Sequence, residues 1–300
     1  MPLSLLARIL ILALILPPAA LALVYPMPEP GSRLIGQKLY HKVDKGDYFQ
    51  EIAERYNVGF LALMAANPGI DPFLPEPGTD LVIPSQMLLP FAKAKGIVIN
   101  LPELRLYYYH PSGDKVSVFP IGIGRQGLAT PRTISHISEK RKDPVWRPTA
   151  EMRQRHLAEH GEVLAAEVPP GPNNPFGGYA LRLGRSEYLI HGTNQRFGIG
   201  MRASSGCIRM YDEDIKWLYE NVAIDTPVRI VEQPVKMSYE NSGQRLIELH
   251  TPLTDEEGNN PGIVITDVIR RFVGENEARW QELMPEIEQP SGTVLELKPL

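Results

Sequence analysis

Hydrophobic positions along this chain change their period from block to block, and each block predicts a different element. An unbroken apolar run from Ile9 to Leu16 follows a single charge, Arg8, and stops at Pro17-Pro18. A second block runs from Tyr40 to about Leu89. Tyr40 to Val43 alternates as a strand does, and Lys45-Gly46-Asp47 makes a turn. Asp47 is placed to cap a helix whose apolar face is Phe49, Ile52, Ala53 and Tyr56. A second helix is predicted from Phe60 to Ala66, broken by Asn67-Pro68-Gly69, and Gly78 leads into a strand from Asp80 to Ile83. The order is β-α-α-β.

From Gly96 the pattern becomes that of strands. GIVINLPELRLYYYH alternates and is rich in β-branched and aromatic residues, and a turn at Pro111-Ser112-Gly113-Asp114 joins it to KVSVFPIGIG, which reads as a hairpin. SEYLIHGT (186–193) and TPVRIVEQ (226–233) are further strands, and Asp212 to Asn221 is a helix with Ile215, Leu218 and Tyr219 on one face. Near the C-terminus RLIELH and GIVITDVIRRFV read as strands, followed by an acidic tail punctuated by proline. The 29 prolines remove backbone donors and fix φ, which favours loops and strand edges over long helices. The fold class expected is mainly β.

Composition narrows the setting. A net charge of −4 gives no electrostatic reason to expect nucleic acid as a partner. The opening segment has the form of a secretory signal, with the small-x-small sequence Ala20-Leu21-Ala22 at its end. Cleavage is expected near Ala22; retention as an uncleaved anchor is the alternative, although the proline pair shortens the run below the roughly 20 residues a span needs. Residues 23–39 then form a proline-rich extended arm. A periplasmic location follows.

In such a setting cysteines come in pairs. Here there is one, Cys207, in RASSGCIRM. A lone thiol there is a reactive group, an intermolecular disulfide partner or an inert buried side chain. Sixteen residues upstream lies His191, at the end of an apolar strand and followed by Gly192. The loop between them contains Gly198, Gly200 and Gly206, flexible enough to bring thiol and imidazole together. A free thiol with a pKa of about 8.5 is mostly protonated at pH 7; an adjacent imidazole can take the proton and hold the thiolate as an ion pair. Small residues before the thiol, Ser204-Ser205-Gly206, let the backbone approach a substrate, with the Gly206 and Cys207 amides facing a developing oxyanion. Arg209 is placed to hold an anionic group, or to pair with Asp212 or Asp214. His41, His110, His136, His156, His160 and His250 lack metal-ligand spacing, so no metal and no cofactor is expected.

Two resemblances complete the reading. The V-x-x-G-D start, IAERYNV, Asn67 and GTDLVIP resemble a LysM module, which binds N-acetylglucosamine-containing glycans; a spacer without glycan contact is the other reading. IHGTNQRFGIGMRASSGCIRM resembles the signature of L,D-transpeptidases with a YkuD-type β-sandwich catalytic domain: His-Gly, a gap, then Ser-x-Gly-Cys, an apolar residue and Asn or Arg. Ser205 stands where that family usually has histidine, as also occurs in the ErfK/YbiS-like branch, which the chain resembles over almost its full length. The resemblance implies Cys207 as nucleophile, His191 as general base and acid, the Gly192 carbonyl orienting the imidazole, Ser205 and Gly206 at the oxyanion site, and Arg209 contacting a carboxylate of the donor.

The substrate implied is a peptidoglycan tetrapeptide stem, which loses its terminal D-alanine to a thioester. In the ErfK/YbiS-like branch the acceptor is the C-terminal lysine of a Braun-type outer-membrane lipoprotein. Direct 3-3 stem crosslinks, hydrolysis that detaches the lipoprotein, and a non-catalytic peptidoglycan-binding scaffold are the alternatives. The organisation expected is a signal at 1–22, an arm at 23–39, a LysM-like module at 40–89, a catalytic domain at 95–233 and a C-terminal extension at 234–300.

Overall fold

The computed structural model describes residues 23–255 and 257–298. The signal segment read in residues 1–22 lies outside the described residues. The protein is mainly β, and its centre is one curled mixed sheet of nine strands. In spatial order these are Leu23–Pro26, Lys115–Pro120, Arg105–Tyr109, Gly96–Asn100, Pro227–Val231, Thr133–Lys142, Tyr179–Leu183, Leu189–His191 and Ile208–Arg209. Two neighbouring pairs are parallel: Gly96–Asn100 with Pro227–Val231, and Leu189–His191 with Ile208–Arg209.

Alternation of side chains along these strands makes two cores. On one face Ile97, Ile99, Leu106, Phe119, Ile190 and Ile208 pack with Ile215 and Leu218 of the helix Asp212–Asn221. On the other, Val98, Tyr107, Tyr109, Val116 and Val118 are covered by Ile35, Met87 and Leu89 from the connecting segments. Burial on both faces explains why every position of Gly96–Asn100 and Arg105–Tyr109 is buried. The arm is strapped on as strands, Leu23–Pro26 against Lys115–Pro120 and Leu34–Ile35 against Met87–Leu88.

The N-terminal module has the order read from its sequence: Leu39–Lys42, helices Phe49–Arg55 and Phe60–Ala66, and Asp80–Ile83 paired with the first strand. Asn67 pins the second helix to the last strand, donating to Leu63 O and Val82 O at 2.8 Å and accepting from Val82 N at 2.7 Å. Asp47 does not cap the first helix. Its Oδ2 accepts from Asp44 N at 2.9 Å and lies 2.8 Å from His41 Nε2, so it closes the preceding turn instead.

Three other departures have physical causes. GIVINLPELRLYYY is two strands, because residues 101–104 turn the chain, with Leu104 at φ 55°. Thr133–Lys142 escapes a periodicity reading because only Ile137 in it is buried; it is a strand because ladders hold it on both sides. TDVIRRFV is a helix, Asp267–Val273, whose start is fixed by Thr266 accepting from Ile269 N at 3.4 Å. β-branched composition alone does not decide such a segment.

Buried charge joins the C-terminal sheet (Val235–Tyr239, Arg245–Leu249, Val294–Leu297) to the central one. Lys236 Nζ lies 2.9 Å from Glu103 Oε2 and 2.9 Å from Glu248 Oε2, and Arg105 NH1 sits 3.1 and 2.9 Å from the same two carboxylates. The nearby cations outweigh burial and hold both carboxyls below the usual range. Glu103, Glu248 and His250 have metal-like spacing, but the Lys236 ammonium already occupies that position. Removing one partner of a buried ion cluster strands the others. Lys236→Met is therefore expected to lower unfolding stability by about 3–5 kcal/mol, read by chemical denaturation.

A second buried group lies where the N-terminal module meets the catalytic domain. Asp214 is 1% exposed and faces Asn57, and among the described residues neither of its oxygens makes a hydrogen bond of good geometry; Asn57 and Tyr211 also leave side-chain polar atoms unpaired in burial. Burial, then the Glu213 charge, pushes the Asp214 carboxyl up to about 8, against the smaller opposing influences of Asn57 and Arg196. An unfolded aspartate ionises near 4, so the folded chain binds the extra proton between about pH 4 and 8. Stability is expected to fall as pH rises through that window. Asp214→Asn should flatten the dependence in denaturant melts at pH 5 and pH 8.

Candidate active site

The site is built on the parallel pair Ile190↔Ile208 and His191↔Arg209. Ile190 and Ile208 are fully buried in one core cluster, so alternation turns His191, Cys207 and Arg209 to the opposite face. Cys207 immediately precedes the strand Ile208–Arg209, so the register runs it alongside Leu189. Cys207 is partly exposed, and its Sγ faces the Glu187 carbonyl at 4.0 Å. No hydrogen bond joins thiol and imidazole among the described residues.

The imidazole is held tightly. His191 Nδ1 lies 2.6 Å from Gly192 O, so that nitrogen carries the proton and the Nε2 lone pair is left for other chemistry. Phe176 packs over the ring, centroids 4.6 Å apart. The glycine after the histidine has a steric reason: a Cβ on Gly192 would overlap Asp212 Oδ1, as would one on Gly177. That carboxylate oxygen accepts from Thr193 N at 3.0 Å and fixes the turn after the imidazole.

The loop that carries Cys207 is stapled from inside. Ser204 Oγ donates to Cys207 O at 2.6 Å and accepts from Gly206 N at 3.1 Å. The Gly206 amide is thus engaged by Ser204, whereas Cys207 N–H has no protein acceptor among the described residues. Thr130, buried, donates to Gly206 O at 2.8 Å and accepts from Gly124 N at 3.0 Å. Sequence reasoning passed over Thr130; GLATP offers no signal beyond its place in a polar loop. Gly206 has φ 106°, and a Cβ there would come within 3.0 Å of Tyr188. Ser205 is exposed and lines the cavity in front of Cys207.

That cavity has a volume of about 750 Å³. Trp146, Met152, Phe176 and Tyr188 supply apolar walls, and Arg141, Arg147, Arg155 and Arg182 line it as well. Its cover includes the helix Ala150–His160 and the Pro169–Gly178 loop. The loop is tied down: Asn174, fully buried, donates to Pro144 O at 2.7 Å and to Val168 O and Pro169 O at 3.2 and 3.1 Å.

Arg209 stands out electrostatically. It pairs with neither Asp212 nor Asp214, and its buried Nε has no hydrogen-bond partner. Burial lowers its pKa. Burial also carries the His191 pKa down to about 3, and the Arg209 charge pushes the same way. The Cys207 thiol is pushed up by burial. The resting site therefore holds a neutral thiol and a neutral imidazole at pH 7, where the sequence reading anticipates an ion pair.

This curled mixed sheet, with cysteine and histidine on adjoining parallel strands, is a YkuD-type catalytic domain. The chain matches the L,D-transpeptidase catalytic domain over residues 94–230, the L,D-transpeptidase C-terminal domain over 234–294 and the LysM domain over 41–84. It is 49% identical over 257 residues to Probable L,D-transpeptidase YcfS of Escherichia coli (strain K12), covering 84% of this chain and 79% of that one. It is 43% identical over 286 residues to Probable L,D-transpeptidase YbiS of the same strain, covering 93% of each. To Probable L,D-transpeptidase ErfK/SrfK of Salmonella typhimurium it is 42% identical over 281 residues, covering 91% of this chain and 90% of that one. The chain belongs to the L,D-transpeptidase family and is an enzyme of peptidoglycan.

The neutral resting pair sets an expectation for thiol chemistry. Iodoacetamide alkylation of Cys207 in the substrate-free enzyme should be slow at pH 7 and climb only above the ordinary thiol range. A rate already level from pH 6 would show a preformed thiolate.

Proposed function

We propose that Cys207 takes the acyl group of a tetrapeptide stem as a thioester, releasing D-alanine, and passes it to the C-terminal lysine of an outer-membrane lipoprotein. The observation that carries the donor half is Arg209, on the same face as thiol and imidazole: the side chain is half-buried, and its buried Nε has no hydrogen-bond partner among the described residues. A partly dehydrated cation without an anion favours a substrate that supplies one, and a stem carries carboxylates. Peptidoglycan as substrate accords with the catalytic and LysM domains. The lysine acceptor rests on the resemblance to the ErfK/YbiS-like branch.

The chemistry follows from the arrangement. A stem carboxylate on Arg209 cancels the positive charge that disfavours an imidazolium, so the donor itself raises the basicity of His191. The thiol proton passes to Nε2 while sulfur attacks the carbonyl of the third stem residue. The Cys207 amide is the open donor for the resulting oxyanion; Gly206 joins it when Ser204 Oγ turns away. The imidazolium then protonates the leaving nitrogen of D-alanine, and the thioester remains. The acceptor amine attacks that carbonyl, its proton goes to His191, and the thiol is regenerated as the new amide forms. The Gly192 carbonyl keeps the ring in the tautomer both halves need.

Residues 1–22 are proposed to direct the chain to the periplasm, where stem and lipoprotein meet. No helix among the described residues is long and apolar enough to cross a membrane.

Incubation with tetrapeptide muropeptides and a lysine-terminated lipoprotein peptide, followed by mass spectrometry, tests this. Loss of D-alanine and a stem–lysine adduct are expected. Cys207→Ala should abolish both, and His191→Ala should slow them about 100-fold or more. Stem dimers without the adduct would move the assignment to 3-3 crosslinking, and release of lipoprotein from preformed adducts would make the enzyme a hydrolase.

A further inference from the structure

The segment between His191 and Cys207 does more than connect them. It is the crossover between two parallel strands, a position usually filled by a helix. Here it is irregular, with one 3₁₀ turn at Arg196–Gly198. A crossover without its own helix needs support from outside.

One side of it rests on the catalytic domain. Gly200 N donates to Ile121 O at 3.1 Å, Ile123 N donates to Met201 O at 3.0 Å, and Arg202–Ser204 runs parallel to Ile123–Gly124. The other side rests on the LysM module. Leu61 N, in the first turn of helix Phe60–Ala66, donates to Gly200 O at 3.2 Å. Gly59 and Gly200 meet backbone to backbone: a Cβ on Gly59 would lie 3.2 Å from Gly200 Cα, and one on Gly200 would overlap Gly59 and Phe60.

Side chains extend this seam. Met201 packs against the LysM core and Leu61 against the catalytic core. Arg196 bridges the two bodies, with Nε 3.0 Å from Glu54 and NH2 2.8 Å from Glu213, its guanidinium 4.6 Å over the Tyr211 ring. Asn57 and Asp214 face the same seam from either side.

We propose that the LysM module is a positioning element of the catalytic centre: by bracing the crossover at Gly59–Gly200 and Arg196, it sets where Cys207 stands relative to His191. This role is separate from any glycan the module binds, and it rests on the assignment of those two residues as nucleophile and base. Misplacing reacting groups by about 1 Å costs on the order of 100-fold in rate, so a shifted crossover acts on kcat.

The test uses the full chain and a soluble tetrapeptide stem with no glycan, which removes glycan capture from the measurement. Gly59 has φ −74°, so a side chain there is compatible with its backbone but wedges the seam. The series Gly59→Ala and Gly59→Val is expected to lower kcat progressively, by about tenfold or more for valine, with KM within twofold. Hydrogen exchange over helices Phe49–Arg55 and Phe60–Ala66 reports whether the module stays folded. Where the valine variant unfolds it, Gly59→Ala and Glu54→Gln, which unhooks Arg196, decide the matter. An unchanged kcat in a variant with a folded module overturns the proposal, as does a loss seen only on intact sacculi. Failure of the wild-type chain to release D-alanine strikes the catalytic assignment instead.

Discussion

The parallel register of Leu189–His191 against Ile208–Arg209 is the constraint from which the site follows. Ile190 and Ile208 anchor it from the core side. A slip by one residue would drive His191 and Arg209 into hydrocarbon and expose two isoleucines, which strand alternation makes prohibitive. Parallel strands also cannot be joined by a tight turn; they need a crossover of a dozen or more residues. The sequence separation between imidazole and thiol is that crossover. What looks like a loose gap in a motif is thus a geometric requirement, and Gly200 inside it is needed because backbone meets backbone there, against Gly59.

The same register gives the site its electrostatics. Three polar side chains share one face; Phe176 packs on the imidazole, which is buried, while the thiol and the guanidinium are half-buried. Dehydration acts on them in different directions, favouring the neutral thiol, the neutral imidazole and a less stable guanidinium. The site consequently disfavours a preformed thiolate. Burial does most to keep the imidazole neutral and the Arg209 charge adds to it, so under the proposed mechanism a carboxylate arriving at Arg209 relieves only the smaller part.

Much of this was legible in the residues. His191, Gly192, Gly206, Cys207 and Arg209 stood out because glycines and a lone cysteine are informative at single positions. The helices Phe60–Ala66 and Asp212–Asn221 and the strand Asp80–Ile83 were readable because each buries one face against one core. Where a segment's environment comes from elsewhere in the fold, the reading weakened. Thr133–Lys142 is polar yet central to the sheet, and the helix Ala150–His160 buries no residue fully, so neither shows a hydrophobic period. The engagement of Gly206 N by Ser204 Oγ, the support from Thr130 and the dehydration behind the low His191 pKa are properties of tertiary packing. No local pattern encodes them.

Packing also changes what the modules are to one another. A glycan-binding module on a flexible tether would meet its neighbour through exposed, polar surface. Here the N-terminal module buries Asn57 and Asp214 at the seam and brings glycine against glycine. The C-terminal sheet plugs Lys236 between two buried carboxylates beneath the catalytic strands. Buried charge tolerates little displacement, because separation leaves an ion without its partner in a medium that cannot solvate it. Both junctions therefore resist hinge motion, though by different means, steric on one side and ionic on the other. The crossover that carries the thiol has the N-terminal seam on its outer side and the strand Ile123–Gly124 on its inner side. The nucleophile is consequently placed by more than one domain, and its position reports on the docking of the module before it as directly as on its own strand.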